Sequence, residues 1–485
     1  MPKRSFACAA AILTFSTLVN SGHLACAQSK GQDDVGQKYV KVKAKRKPTD
    51  KDWQLRDTRT MELLQGFQSR SRQVQSGMYG GRADTKIAPK GFFYATKVGQ
   101  RWWLVDPDGH LFIHIGLCSV QKGRSEISQR PAIDKFRTWE KWAEFSTSLL
   151  AQHGFNGTGG WSDSDLLRAA SHPLAYTLSY NFMGSFGRAK RLAWQQPGHL
   201  GYPSNCIPVF HPDFETFCDD YAKQLTATRN DPWLIGHFSD NELPVMPDML
   251  DRSLRLDVNN PDLRHGYLAA QRWLSRRKGE QATVEDITDA DRQAFLAHAF
   301  DRYYRITTDA IRKYDSNHLC LGSRLHAGAL TLPYLFTTAG KYLDVIAVNY
   351  YGAWGPDPDR MRMWTGQSGR PFMITEFYAK GQDSGLPNFS GAGWLVPTQA
   401  DRGRFYQHFT LGLLESKSCV GWHWFKYRDN NPEDLSTDPS NRDSNKGIVT
   451  YQYEPYLTLL EQMRQLNSHV YALTDFFDSR PGPQP

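Results

Sequence analysis

LIGHF at residues 234–238, followed directly by SDNE at 239–242, is the clearest indication of fold class in this sequence. Five mostly apolar residues suit a strand buried on both faces, and such strands are typical of parallel sheets covered by helices. When such strands form a barrel, the residues that follow each strand lie at the face that carries the functional groups. The stretch therefore predicts a buried parallel strand that ends in a functional site.

Seven further short apolar runs lie along the chain, separated by stretches with helical periodicity. One such stretch places Phe295, Ala299, Tyr303 and Ile306 on a single helical stripe. Eight strands with intervening helices predict an α/β fold of the (β/α)8 TIM-barrel type, and a doubly wound open sheet is the alternative. The eight predicted strands lie at 111–117, from 155, and at 175–178, 234–238, 319–322, 345–348, 372–375 and 419–424.

The sequence divides into four predicted regions. A short β-hairpin at 91–105, with its turn at Gly99, opens the barrel region. The tail ends in SRPGPQP at 479–485, a composition typical of disorder. The predicted regions are a signal peptide at 1–27, a basic linker and N-terminal extension at 28–90, the (β/α)8 catalytic domain with its hairpin at 91–470, and a disordered tail at 471–485.

The first 27 residues have the pattern of a secretory leader. Lys3 and Arg4 precede an apolar run at 6–19, and Ala-Cys-Ala at 25–27 resembles a cleavage site. Lipid anchoring at Cys26 is the alternative. No later apolar run reaches the roughly 20 residues that a membrane-spanning helix needs. We therefore expect a secreted or periplasmic protein without a stable membrane span.

The basic charge is concentrated in one segment. The net charge is +8, and much of this excess lies in the segment 38–51, which has five cations between Lys41 and Lys47. We interpret this segment as a solvated, disordered linker, and adhesion to an anionic polysaccharide or surface is the alternative. Nothing else in the sequence supports nucleic-acid binding, and the oligomeric state is left open.

Cysteine and histidine spacing indicates neither a disulfide framework nor a metal site. Five cysteines remain beyond the leader, an odd number without ligand spacing. Cys206 and Cys218 could pair across a loop, whereas the other three, Cys118, Cys320 and Cys419, lie in apolar runs and are predicted to be packed thiols. No His-x-x-x-His motif occurs. We expect neither a metal nor a cofactor.

Two glutamates follow predicted strands that face each other across the barrel mouth. Glu242 follows the fourth strand and Glu376 the seventh. A retaining glycosidase needs two carboxyl groups about 5 Å apart, one as acid/base and one as nucleophile. Asn241 could donate to the substrate 2-hydroxyl or its equivalent, a contact that strengthens in the transition state. A single such glutamate more often caps a helix or pairs with an arginine, but the matched pair favours catalysis.

An Asn-Glu after the fourth strand and a Glu after the seventh resemble the pattern of the large clan of retaining (β/α)8 glycoside hydrolases. Within that clan, WWLVDPDGH at 102–110, DNEL at 240–243 and TEF at 375–377 resemble the β-agarases of glycoside hydrolase family 50. The resemblance covers roughly 91–466. It implies that Glu242 is the acid/base, that Glu376 is the nucleophile, and that the substrate is a β-linked galactan of the agar type.

Residues at other strand ends are candidates for supporting roles. Arg324 could hold Glu376 as an anion, and a tyrosine after the sixth strand could orient it through a hydrogen bond. His326 could donate to a sugar hydroxyl, although it is equally well explained as a core histidine. Tryptophans in strand-end loops could stack on sugar rings. The predicted substrate-binding residues are Asn241, Arg324, His326, Asn349, Tyr350, Tyr351, Trp161, Trp354 and Trp424, with Trp364 and Trp394 as further tryptophans in such loops.

Other functions are less well supported. No Gly-x-Ser-x-Gly elbow or Gly-x-Gly-x-x-Gly turn sits between a strand and a helix, which argues against an esterase or a dinucleotide-binding protein. A noncatalytic glycan-binding barrel would not need paired carboxylates. Another retaining β-glycosidase, such as a β-galactosidase or a sulfated-galactan hydrolase, is the alternative within enzymes.

Overall fold

The computed structural model describes residues 38–68 and 74–480. The predicted leader and the last five residues of the predicted tail lie outside this range. None of the helices described is both long and apolar enough to span a membrane.

The described strands alternate with helices after an N-terminal group of antiparallel strands. The strands are β1 (Val40–Ala44), β2 (Gln54–Thr58), β3 (Arg82–Lys86), β4 (Tyr94–Val98), β5 (Arg101–Val105), β6 (His110–Phe112), β7 (His114–Leu117), β8 (Gly157–Thr158), β9 (Ala175–Ser179), β10 (Trp194–Gln195), β11 (Leu200–Gly201), β12 (Leu234–Phe238), β13 (Leu319–Gly322), β14 (Leu325–His326), β15 (Ile346–Asn349), β16 (Phe372–Phe377), β17 (Ala379–Gly381), β18 (Trp394–Val396) and β19 (Cys419–Trp424).

The α-helices lie mainly in the connections between the parallel strands. They are α1 (Glu126–Phe136), α2 (Trp139–Gln152), α3 (Ser164–Leu167), α4 (Phe182–Ala189), α5 (Asp213–Ala222), α6 (Met249–Ser253), α7 (Arg264–Lys278), α8 (Asp289–Tyr314), α9 (Pro333–Gly340), α10 (Pro358–Ser368), α11 (Gln399–Glu415), α12 (Leu457–Asn467) and α13 (Val470–Asp478).

Nine parallel strands form one sheet in the order β13-β12-β9-β8-β7-β19-β16-β15-β14. The eight predicted apolar runs each lead into a strand of this sheet, so the predicted strand content is confirmed. The first parallel strand, β7, pairs with the last, β19, which is not the strand order of a doubly wound sheet. The two edge strands, β13 and β14, are separated in sequence only by Ser323 and Arg324.

Helix α8 carries the stripe that the sequence predicts. Phe295, Ala299, Tyr303 and Ile306 are all buried. The helix begins at a capping box, in which the side chains of Thr288 and Asp291 each accept from the other residue's backbone N–H. A helix of 26 residues with this cap forms a long, fixed support beside the fourth and fifth strands.

An apolar cluster joins the parallel sheet to the N-terminal antiparallel strands. Ile235, Leu321, Ala347 and Met373 contribute from four parallel strands, and each is at most 2% exposed. Phe93, Leu104 and Phe112, from the antiparallel strands and their flanks, pack into the same cluster. Because the antiparallel sheet β3-β6-β5-β4 covers this cluster, the functional groups are left at the other end of the strands.

The predicted hairpin at 91–105 is confirmed. Strands β4 and β5 pair antiparallel from Tyr94↔Val105 to Val98↔Arg101. The turn after β5 is held by the Asp106 carboxylate, which accepts from the backbone N–H groups of Asp108 and His110. Gly109 has φ +93°, a conformation that glycine adopts without strain.

The basic segment at 38–51 is not a disordered linker, so that prediction is wrong for this stretch. β1 and β2 pair antiparallel, and Val42 and Ala44 are buried while Lys41 and Lys43 face solvent. The alternation of apolar and basic residues is that of a strand with one buried face. Lys45 extends this hairpin by a two-way backbone pairing with Leu395 of β18.

The predicted disordered tail is also wrong as far as the described residues extend. Helix α13 spans Val470–Asp478 and buries Tyr471, Leu473 and Phe477. Apolar residues at this spacing give the segment one face to bury, which a disordered chain lacks. All five cysteines of the described chain are buried free thiols, so Cys206 and Cys218 are not joined.

Candidate active site

The end of β12 fixes the position of Glu242. The Asp240 carboxylate accepts from the backbone N–H groups of Met183 and Gly184 in the first turn of α4, at 2.9 and 3.0 Å. The Tyr303 hydroxyl donates to the same carboxylate at 2.7 Å. Glu242 itself has φ +50° and donates its backbone N–H to the carbonyl of Ser323. A left-handed conformation in a non-glycine residue is typical of functional sites, where the surrounding structure holds it.

Glu376 lies inside β16 rather than after it, and its carboxylate has a charged partner. Arg324 Nη2 lies 2.9 Å from Glu376 Oε1, and the Tyr351 hydroxyl donates to Oε2. Arg324, in the break between β13 and β14, also has positive φ and donates to the Thr375 carbonyl at 2.9 Å. The nucleophile predicted from the sequence therefore has both a cation and a hydroxyl donor.

Asn349, at the end of β15, connects the surroundings of the two glutamates. Its side-chain amide donates to Glu242 Oε1 at 2.8 Å and to Asn241 Oδ1 at 3.2 Å. Its side-chain carbonyl accepts from the Thr375 hydroxyl at 2.7 Å. The fourth, sixth and seventh strands thus meet at one residue, which brings the predicted pair into the same buried site.

Electrostatics distinguish the two carboxyls. Burial raises the pKa of both carboxyls, and burial together with the charge of Glu242 raises the pKa of Glu376 to about 7. The Arg324 guanidinium and the Tyr351 hydroxyl oppose this increase directly at Glu376, whereas Glu242 has only a neutral amide donor in contact. Glu376 therefore has contacts that favour an ionised carboxylate, whereas Glu242 has no charged group in direct contact.

Two more predicted residues lie beside this pair. Trp161 stacks on the Arg324 guanidinium at 4.1 Å and is partly exposed. His326 lies close enough to Glu376 for its charge to raise the pKa of the imidazole, although burial lowers that pKa more. Its Nδ1 is buried and has no protein partner. Trp161 therefore lies against Arg324, and His326 lies near Glu376, as predicted residues of the site.

Three predicted residues are not brought into the site. Tyr350 packs on Trp364 and Phe409, and its hydroxyl accepts from the Asp357 backbone. Side chains alternate along a strand, so Tyr350 points outward between Asn349 and Tyr351, which point inward. Its predicted contact with substrate is therefore wrong.

Trp354 and Trp424 are the other two corrections. Trp354 donates to the Thr58 hydroxyl of β2 and packs on Phe405. Trp424 is fully buried against Phe405 of α11 and donates to the Lys446 carbonyl. Both anchor the fold and expose no face to a sugar. The additional tryptophans Trp364 and Trp394 are likewise buried.

Three site residues were missed at the sequence level. Phe425 lies between Trp161 and Tyr378, with ring centroids 6.1 and 6.0 Å away. Tyr378 also packs on Tyr351 at 5.4 Å. Lys446 stands over the Tyr378 ring at 4.7 Å. Side chains alternate along a strand, and continuing this alternation past the seventh and eighth strands would have predicted that Tyr378 and Phe425 point into the site. No local sequence signal marks Lys446.

Two loops meet above the strand ends. The hairpin β10–β11 and its turn dock on Asp438, whose carboxylate accepts from the Gly198 backbone at 3.1 Å and from the Gln195 side chain at 3.2 Å. His199 of this turn lies beside His326, with ring centroids 6.0 Å apart. The long connection after β9 therefore forms part of the wall of the site, as its length predicts.

One group of potential metal ligands occurs among the described residues. His237, Asp315 and His318 bring their ligand atoms within 4.8 Å of one another. The Asp315 carboxylate is already bonded to both imidazoles, at 2.7 and 2.8 Å, and His318 Nε2 contacts the Asp231 carbonyl. These contacts form a buried hydrogen-bond network that ties α8 to β12 and β13, and the chemistry of the glutamate pair requires no metal.

Comparison with known proteins agrees with this geometry. No protein-family model matches the chain. β-Agarase B of Vibrio sp. (strain JT0107) is 23% identical over 88% of this chain and 54% of its own length. β-Agarase A of the same organism is 24% identical over 81% and 48%. The chain thus spans about half the length of these curated relatives.

Solved structures give a nearer match. The structure of PfGH50B has the same fold at 19% identity, with a TM-score of 0.67 over 83% of this chain and 70% of that one. The crystal structure of BpGH50 is 32% identical, with a TM-score of 0.79, over 91% of this chain and 96% of that one. With that identity over nearly the whole of both chains, this chain belongs to glycoside hydrolase family 50.

Proposed function

We propose that this protein is a retaining glycoside hydrolase that cleaves β-galactosidic links of agar-type galactans by double displacement. The observation that carries the proposal is the unequal environment of two buried glutamates. Glu376 is paired with Arg324 at 2.9 Å, and Glu242 is bonded to the neutral amide of Asn349 at 2.8 Å. One carboxylate and one carboxylic acid in a shared site are what the two steps require.

In the first step Glu376 attacks the anomeric carbon while Glu242 donates its proton to the leaving oxygen. The bond to the leaving sugar breaks as the ester bond to Glu376 forms. Esterification removes the charge of Glu376, so the pKa of Glu242 falls and its carboxylate accepts a proton from water. That water attacks the anomeric carbon, the ester bond breaks, and the product keeps the β configuration.

The agar-type substrate is supported by the relatives, which are β-agarases. Another retaining β-glycosidase, such as a β-galactosidase or a sulfated-galactan hydrolase, is the second candidate. The basic hairpin β1–β2 favours an anionic galactan over a neutral one. Product profiles on agarose, porphyran, carrageenan and mannan distinguish these substrates.

We also propose that the parallel strands form an eight-stranded (β/α)8 barrel within a catalytic domain at 91–470. β13 and β14 would be two halves of the fifth strand, since only Ser323 and Arg324 separate them. The backbone N–H of Asp344, just before β15, donates to Cys320 of β13, which supports this closure. The leader pattern at 1–27 supports export, which suits a polymeric substrate.

The test compares wild type, Glu242→Gln and Glu280→Gln on an agaro-oligosaccharide, with products separated by chromatography. Glu280 is an exposed glutamate beyond α7 and serves as the matched control. Hydrolysis by wild type and Glu280→Gln, but not by Glu242→Gln, is expected. Binding without hydrolysis by the wild type would instead favour a noncatalytic glycan-binding barrel.

A further inference from the structure

We propose that cations beside the nucleophile form a subsite for a sulfate ester of the galactan, so that the enzyme prefers a sulfated chain over an unsulfated one. The inference rests on the proposed function and names its substrate class more closely. Five residues, which we call the cation cluster, carry the argument: Arg46, Lys47, Arg56, Lys380 and Lys446. Arg46, Lys47 and Arg56 belong to the hairpin β1–β2 that the sequence predicts to be a linker.

The three lysines of the cation cluster contact only neutral oxygens. Lys47 Nζ donates to the carbonyls of Phe389 and Gly391 at 3.0 and 3.3 Å. Lys380 Nζ donates to those of Asn388 and Ser390. Lys446 Nζ donates to the Ser440 carbonyl at 2.7 Å and to the Asn441 side chain at 2.5 Å. Lys380 and Lys446 are buried, at 0% and 2% exposure.

The two arginines of the cation cluster lie on one tryptophan. The guanidinium carbons of Arg46 and Arg56 stand 4.6 and 4.7 Å from the ring of Trp394. Arg46 Nη1 and Arg56 Nε are buried and have no hydrogen-bond partner. An arginine that is stacked on an aromatic ring and has guanidinium N–H groups without a hydrogen-bond partner is suited to bind an oxyanion.

No carboxylate of the described chain lies within 4 Å of a charged nitrogen in the cation cluster. Carboxylates act on the cation cluster only from a greater distance: Glu376 and Asp438 raise the pKa of Lys446, and Asp443 raises that of Lys380. Burial lowers the pKa of Lys380 to about 7, and repulsion from Lys47, Lys446 and Arg46 adds to this effect. Like charges held close together with no carboxylate in direct contact are stabilised when an anion binds between them.

The cation cluster is continuous with the active site. Tyr351 donates to Glu376, Tyr378 packs on Tyr351, and Lys446 stands over Tyr378. Gly391, at φ +80°, lies against both Tyr378 and Lys446, where a Cβ would come within 2.2 Å of the Tyr378 hydroxyl. The loop that carries Gly391 also exposes Phe389 at its surface, at 55% exposure.

A sulfate ester fits this arrangement better than a hydroxyl does. It is a permanent anion with three terminal oxygens, which can accept from several charged donors at once. A hydroxyl of an unsulfated sugar carries no charge and cannot offset the repulsion among these cations. The proposal therefore predicts discrimination between galactans of equal length that differ only in sulfation.

The test uses the Glu376→Gln full-length protein, so that binding is measured without hydrolysis. Calorimetric titration compares a sulfated agaro-oligosaccharide with its desulfated form. We expect the sulfated ligand to bind about tenfold more tightly or better, as a charge-assisted contact implies. Adding Arg46→Gln and Lys47→Gln removes that preference, whereas Lys47→Arg retains it. Equal affinities for the two ligands would overturn the subsite.

The controls distinguish a specific sulfate subsite from nonspecific attraction to a positively charged surface. Lys43→Gln removes one cation from the exposed face of the same hairpin and is expected to retain the wild-type preference. Sodium sulfate should displace the sulfated ligand more effectively than sodium chloride at equal ionic strength. If both salts act equally, or if Lys43→Gln matches Lys47→Gln, the attraction is nonspecific and the proposal fails. Failure of the wild type to hydrolyse the substrate would contradict the proposed function, but the calorimetric comparison of sulfated and desulfated ligands would still test the subsite.

Discussion

Arg324 and Glu376 form an ion pair of 2.9 Å in which the arginine side chain is fully buried and the glutamate side chain is 6% exposed. The same arginine lies under Trp161. A cation in direct contact favours the ionised form of the carboxylate and fixes its orientation. The central asymmetry of the site depends on this contact.

Replacement of Arg324 with methionine should raise the pKa of Glu376, because the charged carboxylate loses its cation. The nucleophile must be ionised, so the acidic limb of the kcat/KM profile should move to higher pH. Turnover should fall on the order of 100-fold, as for loss of one preorganised donor. Arg272→Met, at an exposed helical site, should keep the wild-type profile. An unmoved acidic limb in Arg324→Met would exclude Arg324 from this role.

Replacement of Asn349 with alanine should move the alkaline limb of the kcat/KM pH profile. The amide stabilises the charged form of Glu242, so its loss raises the pKa of the acid/base and extends activity to higher pH. We expect kcat to fall about 10- to 100-fold, because a hydrogen bond to an ionisable group is lost. The pH profile of the variant checks both effects. A shift of the alkaline limb to lower pH contradicts the assigned contact.

Trp161 and Trp424 should respond in opposite ways to truncation. Trp161→Ala should raise KM, because a partly exposed ring at the site is lost. Trp424→Ala should cost about 3–5 kcal/mol of unfolding free energy, because a fully buried ring leaves a cavity. Denaturant unfolding and steady-state kinetics on both variants separate the two roles. A Trp424→Ala variant with native stability and a raised KM would instead support the substrate contact that the sequence predicts for Trp424.

The His237–Asp315–His318 network makes stability depend on pH. Burial lowers the pKa of His237, so the unfolded chain binds more protons, and stability is lost as pH falls below the ordinary histidine value of about 6.5. The two imidazoles hold the pKa of Asp315 well below its usual range, so its contribution is lost only in stronger acid. The denaturant concentration at the unfolding midpoint should decrease as the pH is lowered from 8 to 5.

Asp315→Asn should destabilise the fold by about 3–5 kcal/mol at neutral pH, because it breaks a buried charged network. Asp309→Asn, at an exposed position on the same helix, is the control and should change little. If the two variants unfold at the same denaturant concentration, the network does not stabilise the fold.

The strands of the parallel sheet were predictable because each is an apolar run long enough to be buried on both faces. β12, β13 and β19 occur where the sequence places them, and β16 is longer by two residues. That extension puts Glu376 inside a strand, which a hydropathy pattern alone does not reveal. The hairpin β1–β2 was missed because basic residues on its exposed face mask the buried Val42 and Ala44.

The candidate site was predictable only in part. Glu242, Glu376, Asn349 and Arg324 follow or end apolar runs, so the strand count locates them. Tyr350 and Trp424 also occur at strand ends, but the side-chain direction depends on register, and the pairing of β16 with β19 is irregular. Lys446 reaches the site from a long loop, so its position depends on tertiary contacts that no local pattern encodes.

The most direct test of the central claim is the anomeric configuration of the azide product formed by two rescued variants. With azide and an activated β-galactoside, Glu376→Gly should yield the α-glycosyl azide, because azide attacks in place of the nucleophile. Glu242→Gly should yield the β-glycosyl azide, because azide attacks the glycosyl-enzyme. A β product from Glu376→Gly, or an α product from Glu242→Gly, would contradict the assignment of nucleophile and acid/base.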